Sequence, residues 1–296
     1  MVSGVGRIPP ERVVRAVAGL GVTAAVTYAA PSVAALRRLR TRVLPVLAGV
    51  GAPDHVALTF DDGPDPASTP LFLEVLAELD IRATFFVLGT MLERAPGLAQ
   101  RMTDAGHELA VHAWDHRPML LRGPQSTYRQ LSRTRDLITA VTGREPRFAR
   151  PPHGILSAGF LVAASRLRLM PVLWTAWGRD WTSTATPLSV LATLAPDLRG
   201  GGTIVLHDSD CTSAPQAWRS ALGALPELAA RCHELGLRVG PLAEHGIGPQ
   251  LCTVPGPARP APAGRAGPGT AWFRRRGTGS SSGSCRTGVP AGPSRL

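Results

Sequence analysis

The chain has 296 residues, room for one large domain with extensions. All 32 of its basic residues are arginine, and the formal charge of +11 sits in the flanks: residues 1–50 hold seven Arg and one Glu, residues 251–296 seven Arg and no acid, and residues 51–250 hold 18 Arg against 20 Asp and Glu. A near-neutral middle argues against a nucleic-acid partner, and four cysteines (Cys211, Cys232, Cys252 and Cys285) without CxxC spacing argue against a structural zinc knot and read as isolated thiols.

In chain order, the first feature is an uncharged stretch of 21 residues, 16–36, with Arg12 and Arg15 before it and Arg37, Arg38, Arg40 and Arg42 after it. Its length can span a bilayer. Its Ala and Gly content makes it only modestly apolar, and Pro31 sits near its end. Val33, Ala34 and Ala35 place small residues where signal cleavage needs them. Residues 1–50 are therefore set apart as a membrane-anchor or signal-like segment, with the protein membrane-associated or secreted. Orientation stays open, because the arginine excess after the stretch would keep the following domain in the cytoplasm. The arginine-rich ends also suit anionic lipids.

From residue 56 to 242 short apolar runs alternate with helical stretches. VALTF (56–60) leads to TPLFLEVLAELD (69–80), ATFFVL (83–88) to APGLAQRMTDAG (95–106), and ELAVH (108–112) to STYRQLSRTRDLITAVTG (126–143). RFAR (147–150) leads to SAGFLVAASRLR (157–168), MPVLWT (170–175) to PLSVLATLAPDLR (187–199), and GTIVLHD (202–208) to a long helical run ending near residue 236; LRVGPL (237–242) closes the series. The helices carry apolar residues at i, i+3, i+4, as in Leu71, Val75, Leu76 and Leu79. The strands are continuously apolar, as when both faces are covered. Such alternation predicts a parallel sheet, closed as a barrel of about seven units or open and doubly wound. No GxGxxG follows the first strand, which weakens the open alternative. Residues 251–296 are rich in Gly, Pro and Arg, lack apolar periodicity, and read as a disordered tail.

The polar residues fall on one end of this scheme. Asp61 and Asp62 follow the first strand, His112 and His116 the third, Arg150 the fourth, Asp180 the fifth, and His207 ends the sixth. In a parallel barrel these carboxyl ends share the rim where active sites are built. Adjacent Asp side chains at a strand end point apart and can serve two partners, although Asp-Gly-Pro is also an ordinary turn. HAWDH (112–116) spaces two imidazoles for one helical turn. With a carboxylate they make a two-His-one-carboxylate set of the kind zinc accepts, but Ala113 rules out the HExxH pattern. Asp180 can set the tautomer of His207, and Arg150 can hold Asp61 ionised. Trp174, Trp177 and Trp181 suit either sugar faces or core packing. No GxSxG occurs, so no serine-hydrolase elbow is present.

Five motifs in order, TFDDGP (59–64), HAWDH (112–116), RPPHG (150–154), RDW (179–181) and VLHD (205–208), make residues 56–245 resemble the polysaccharide deacetylase family, carbohydrate esterases with a NodB-type domain. The resemblance implies an α/β fold, a distorted (β/α)7 barrel occupying residues 51–250. It implies hydrolysis of N-acetyl groups on an acetylated glycan such as peptidoglycan or chitin-like sugars, and a divalent metal, usually zinc. It implies Asp62, His112 and His116 as metal ligands, Asp61 as general base, Arg150 as its partner, and His207, tuned by Asp180, as general acid. The backbone of His153 would bind the oxyanion, and Trp181 and Val205 would receive the acetyl methyl. Ala113 stands where Ser or Thr is usual, His153 where Tyr is usual, and Val205 where Leu is usual; none of these removes a reacting group. Another acetylated substrate such as xylan, or a non-catalytic glycan-binding role, are the alternatives.

Overall fold

The computed structural model describes residues 10–247; the tail assigned to 251–296, with Cys252 and Cys285, lies outside the described residues. Its centre is β1 (His55–Asp61), buried along its whole length. It lies between β2 (Thr84–Val87) and β7 (Thr203–His207) and runs parallel to both. Outward from β2 follow β3 (Glu108–Val111), β4 (Phe148–Ala149) and β5 (Met170–Pro171), and outward from β7 lies β6 (Ala176–Trp177). The order is β5-β4-β3-β2-β1-β7-β6, and β8 (Arg238–Gly240) pairs with the start of β1. Every pairing is parallel. The sheet curls into the distorted barrel that the family resemblance implied, which settles between the closed and open sheets that the strand and helix alternation allowed.

Strand parity divides the core. Val56, Leu58, Phe60, Phe85, Val87, Leu109, Val111, Ile204 and Leu206 point outward to the helices. The helices beneath which they lie include α4 (Thr69–Glu78), α5 (Gly89–Arg94), α6 (Pro96–Asp104), α7 (Pro124–Thr142), α8 (Ala158–Arg166), α9 (Pro187–Leu194) and α10 (Trp218–Glu234). Phe60 stacks on Phe85 at 4.9 Å and meets the edge of Phe72 of α4 at 5.1 Å. The other parity points into the barrel, where Ala57, Phe86, Ala110, Phe148 and Val172 form a second cluster. Period-2 alternation then carries the same inner lines upward to Thr59 and Asp61, His112, Arg150, and Val205 and His207. The apolar floor and the polar mouth are thus consecutive inward positions of the same strands.

The run MPVLWT does not form one strand. β5 stops at Pro171, β6 starts at Ala176, and residues 172–175 cross the gap between the two ends of the sheet. The N-terminal stretch is also interrupted: α1 (Pro10–Ala29) ends inside it, and Pro31 sits in a 3-10 turn over Ala30–Ala35. Among the described residues no helix is long and apolar enough to cross a membrane. The chain then packs on the barrel through α2 (Arg37–Val43) and α3 (Pro45–Ala48). The Tyr28 hydroxyl donates to the Arg122 carbonyl, and Ala34, Arg40 and Ala48 are buried. Gly49, at φ 78°, lies so close to β7 that a Cβ would sit 2.6 Å from Thr203 Oγ1. Cys211 and Cys232 are free thiols.

Candidate active site

Asp61 ends β1, and its Oδ1 accepts from Arg150 Nη1 at 2.6 Å. The rest of the guanidinium is consumed below it. Nη1 also donates to Thr59 Oγ1 at 2.9 Å, Nε to the Val172 carbonyl at 3.1 Å and Nη2 to the Leu173 carbonyl at 2.9 Å. Its carbon lies 3.9 Å from the Phe86 ring centroid. Arg150 is wholly buried, so removing Asp61's charge would leave a buried cation without its counter-ion.

Asp62 turns away from its neighbour because its backbone is left-handed, at φ 82°. That conformation is uncommon outside glycine and marks a residue held by its surroundings. Asp208, one residue beyond His207, holds the following turn: it accepts from the Gly63 N–H at 3.1 Å and from Thr69 Oγ1 at 2.5 Å. Burial comes first among the causes that push its carboxyl up to about 7. A Cβ on Gly63 would fall 2.2 Å from Asp208, so only glycine allows this close approach.

His112 and His116 meet Asp62 by a route the spacing did not suggest. Residues 112–118 form an irregular loop and not a helical turn, with Ala113 at φ 75°. The loop is pinned by Gln130 Oε1, which accepts from the backbone of Trp114 and Asp115 at 3.2 Å each, and by the Arg122–Asp115 ion pair. His112 Nδ1 donates to the Arg150 carbonyl at 2.9 Å. Burial, with Asp62 opposing and His116 and Arg150 adding to it, holds the imidazole well below its ordinary pKa. It is therefore neutral, and its Nε2 presents a lone pair.

That lone pair faces Asp62 Oδ1 at 3.5 Å, and His116 Nε2 stands 3.3 Å from the same oxygen. Oδ1 is buried and has no hydrogen-bond partner. One ligand atom from each of the three residues lies within 4.8 Å of the others. A carboxylate oxygen facing a neutral imidazole's lone pair, with no proton between them, fits a divalent cation. The second oxygen, Oδ2, accepts from Thr212 Oγ1 at 2.6 Å. Thr212 follows β7 in a loop without periodic pattern, and sequence reasoning missed it.

Across the cavity, the Asp180 carboxylate accepts from the backbone N–H of His207 at 2.7 Å and from its Nδ1 at 2.9 Å. Burial opposes protonation of this imidazole, but Asp180, with Asp62 and Asp61 beyond it, outweighs burial and raises the pKa to about 10. Trp181 meets the His207 ring edge-on at 6.2 Å and stacks on Trp177 at 4.4 Å. His153, at φ 59°, places its ring 4.3 Å from that of His116. A cavity of about 290 Å³ joins Asp61, Asp62, His112, His116, His153, Trp181, His207 and Thr212, Val205 forms part of its wall, and the buried Arg150, Asp180 and Asp208 do not line it. His107, at the other end of β3, is a buried structural residue that accepts from the Ala83 N–H at 3.2 Å.

With this geometry in view, residues 48–172 match the family described as polysaccharide deacetylase. A chitooligosaccharide deacetylase of Sinorhizobium fredii is 36% identical over 203 residues, covering 67% of this chain and 94% of its own. A peptidoglycan-N-acetylglucosamine deacetylase of Listeria monocytogenes is 33% identical over 160 residues, 54% of this chain but only 34% of its own. Among solved structures, a family 4 carbohydrate esterase from Streptomyces lividans in complex with acetate superimposes with a TM-score of 0.57 at 29% identity, covering 64% of this chain and 93% of that one.

The Thr212 contact makes a prediction. Thr212→Val should weaken binding of a divalent metal by about tenfold or more, the usual cost of losing a group that orients a ligand, while Thr212→Ser keeps it. Competition against a chelating indicator checks this.

Proposed function

The chain belongs to the polysaccharide deacetylase family, hydrolases of amide bonds, and from that premise we propose that it removes N-acetyl groups from amino-sugar oligomers of the chitooligosaccharide or peptidoglycan kind. The observation that supports this most is the convergence of Asp62 Oδ1 and two imidazole nitrogens beside an arginine-held carboxylate, with a His–Asp pair in the same cavity. The match over 94% of a chitooligosaccharide deacetylase and 67% of this chain favours a glycan oligomer as substrate.

In this reading Asp62, His112 and His116 hold a divalent cation, which we assign as zinc from its two-imidazole, one-carboxylate donor set. When bound, it supplies a Lewis acid that polarises the acetyl carbonyl and acidifies water. Asp61 takes the proton of the attacking water. Its Oδ1 is engaged by Arg150, which leaves Oδ2 for that work. The backbone N–H of His153 meets the oxyanion of the tetrahedral intermediate. His207, with Nδ1 held by Asp180, gives a proton from Nε2 to the departing amine, which cannot leave as an anion. Trp181 and Val205 enclose the methyl group. The products are acetate and a free amino sugar.

The surface of the N-terminal segment bears on location. Leu36, Leu39 and Val43 are exposed beside Arg38 and Arg42, and Val22 and Val26 are exposed on α1. We assign this arginine-bearing apolar surface to an anionic membrane face, which such segments bind without spanning.

The full chain should release acetate from N-acetylglucosamine oligomers or from peptidoglycan, and a chelator should abolish the release. Asp61→Asn should retain the metal and lose at least about 10²-fold in kcat. Release from acetylated xylan alone, or metal-independent activity, would contradict the assignment. The pH dependence follows from His207, which must be protonated to act. Its elevated pKa keeps the acid form through neutral pH, and activity falls as pH rises through that value. Asp180→Asn removes the charge that raises it, so the alkaline limb of the kcat profile should move down by about 1–3 pH units. Finally, the chain should co-sediment with phosphatidylglycerol vesicles and not with phosphatidylcholine vesicles, and Arg38→Gln with Arg42→Gln should weaken that binding.

A further inference from the structure

Residues 172–175 cross the gap between β5 and β6; the Val172 N–H still donates to Ala149 of β4 and the Thr175 N–H to Thr203 of β7, at 3.0 and 2.9 Å, but no strand donates to their carbonyls among the described residues. Their four consecutive carbonyls accept from arginines instead. Arg150 serves Val172 and Leu173 from inside the barrel, at 3.1 and 2.9 Å. Arg40 Nη2 serves Trp174 at 2.6 Å and Arg37 Nη1 serves Thr175 at 2.7 Å, both from α2. The Leu173 N–H donates to the Leu47 carbonyl at 2.8 Å. The N-terminal segment thus closes the gap in the sheet.

Arg40 is an expensive way to do this. It is 2% exposed, and its Nε has no partner. Nη1 donates to the Ala34 carbonyl at 2.5 Å, and among the described residues it forms no ion pair. A buried cation without a counter-ion costs free energy that a neutral donor would not. Burial, then repulsion from Arg150 and Arg37, lowers its pKa to about 10.

What Arg40 holds explains the expense. The guanidinium carbons of Arg40 and Arg150 lie 5.6 and 5.7 Å from the centroid of the Trp174 ring. That ring lines the catalytic cavity and lies against Gly154, where a Cβ would fall 2.4 Å from its Cη2. Gly154 and His153 form a turn with both residues left-handed, at φ 67° and 59°. The N–H that our reading gives to the oxyanion belongs to this turn.

We propose that Arg40 is a positioning residue for the reaction: from outside the barrel it fixes Trp174 by its carbonyl and its ring, and through Trp174 it fixes the His153–Gly154 turn. The proposal rests on the deacetylase reading. A misplaced oxyanion donor costs rate more than substrate affinity, because the oxyanion exists only near the transition state.

The test uses the full metal-loaded chain and an N-acetylglucosamine oligomer. Arg40→Met should lower kcat per folded, metal-loaded chain by about tenfold, with KM and metal content within about twofold of wild type. Arg40→Lys should recover most of the loss, since an ammonium still reaches the Trp174 carbonyl. In a Trp174→Phe background the effect of Arg40→Met should shrink to less than about twofold, because the route through the indole is already altered. If Arg40→Met does not fold, Arg40→Gln, which removes the charge and is too short to reach the Trp174 carbonyl as arginine does, replaces it in the same cycle, and a non-multiplicative pair of effects on kcat supports the proposal. An active wild type whose Arg40 variants lose only thermal stability, or whose effects multiply with Trp174→Phe, would overturn it. A metal-loaded wild type that releases no acetate from any acetylated amino sugar would overturn the deacetylase reading and this proposal together.

Discussion

A carboxylate oxygen brought against a neutral imidazole's lone pair, with no proton between them, is repelled unless a cation sits nearby. Folding imposes that arrangement on Asp62 and His112, and it brings His116 Nε2 to within 3.3 Å of the same oxygen. The rest of the site serves to maintain it. Thr212 turns Asp62 so that one oxygen faces inward, the Arg150 carbonyl fixes the tautomer of His112, and Asp208 holds the turn that carries Asp62 past Asp61. Several backbones here, at Asp62, Ala113 and His153, adopt positive φ without glycine. Strain of this kind persists where surrounding contacts over-determine it.

Arg150 joins this chemistry to the architecture. One guanidinium bonds the end of β1, the inside of the barrel and the chain that crosses its gap. Asp61 is therefore aligned by the same group that satisfies the carbonyls of an incomplete sheet. Closing the barrel and orienting the carboxylate are one structural event, and the N-terminal segment completes it from the outer side through Arg37 and Arg40.

Much of this was legible in the sequence because two periodicities express it directly. Alternation of apolar runs and amphipathic stretches predicted a parallel sheet of about seven units, and the polar residues that end or follow those runs, among them Asp61, His112, Arg150 and His207, fell at one end of it. The parts that were not legible depend on contacts between distant residues. Nothing in SDCTSAP marks Thr212, since a hydroxyl in an aperiodic loop gains meaning only when the loop folds over Asp62. Arg40 reads as one more charge flanking an apolar stretch, yet it is buried. HAWDH reads as a helical turn, whereas Ala113 in the left-handed region makes it a loop. MPVLWT reads as a strand, whereas the carbonyls after Pro171 accept from arginine side chains in place of a neighbouring strand.

The cation is the claim on which the others hang, and X-ray absorption at the zinc edge of the zinc-titrated full chain tests it most directly. The account predicts one ion per chain, with two imidazole nitrogens and one carboxylate oxygen at about 2.0–2.2 Å, and with one imidazole lost from the spectrum in His116→Ala. A chain that takes up no ion at saturating zinc, or one whose ion has no imidazole neighbours, would contradict it.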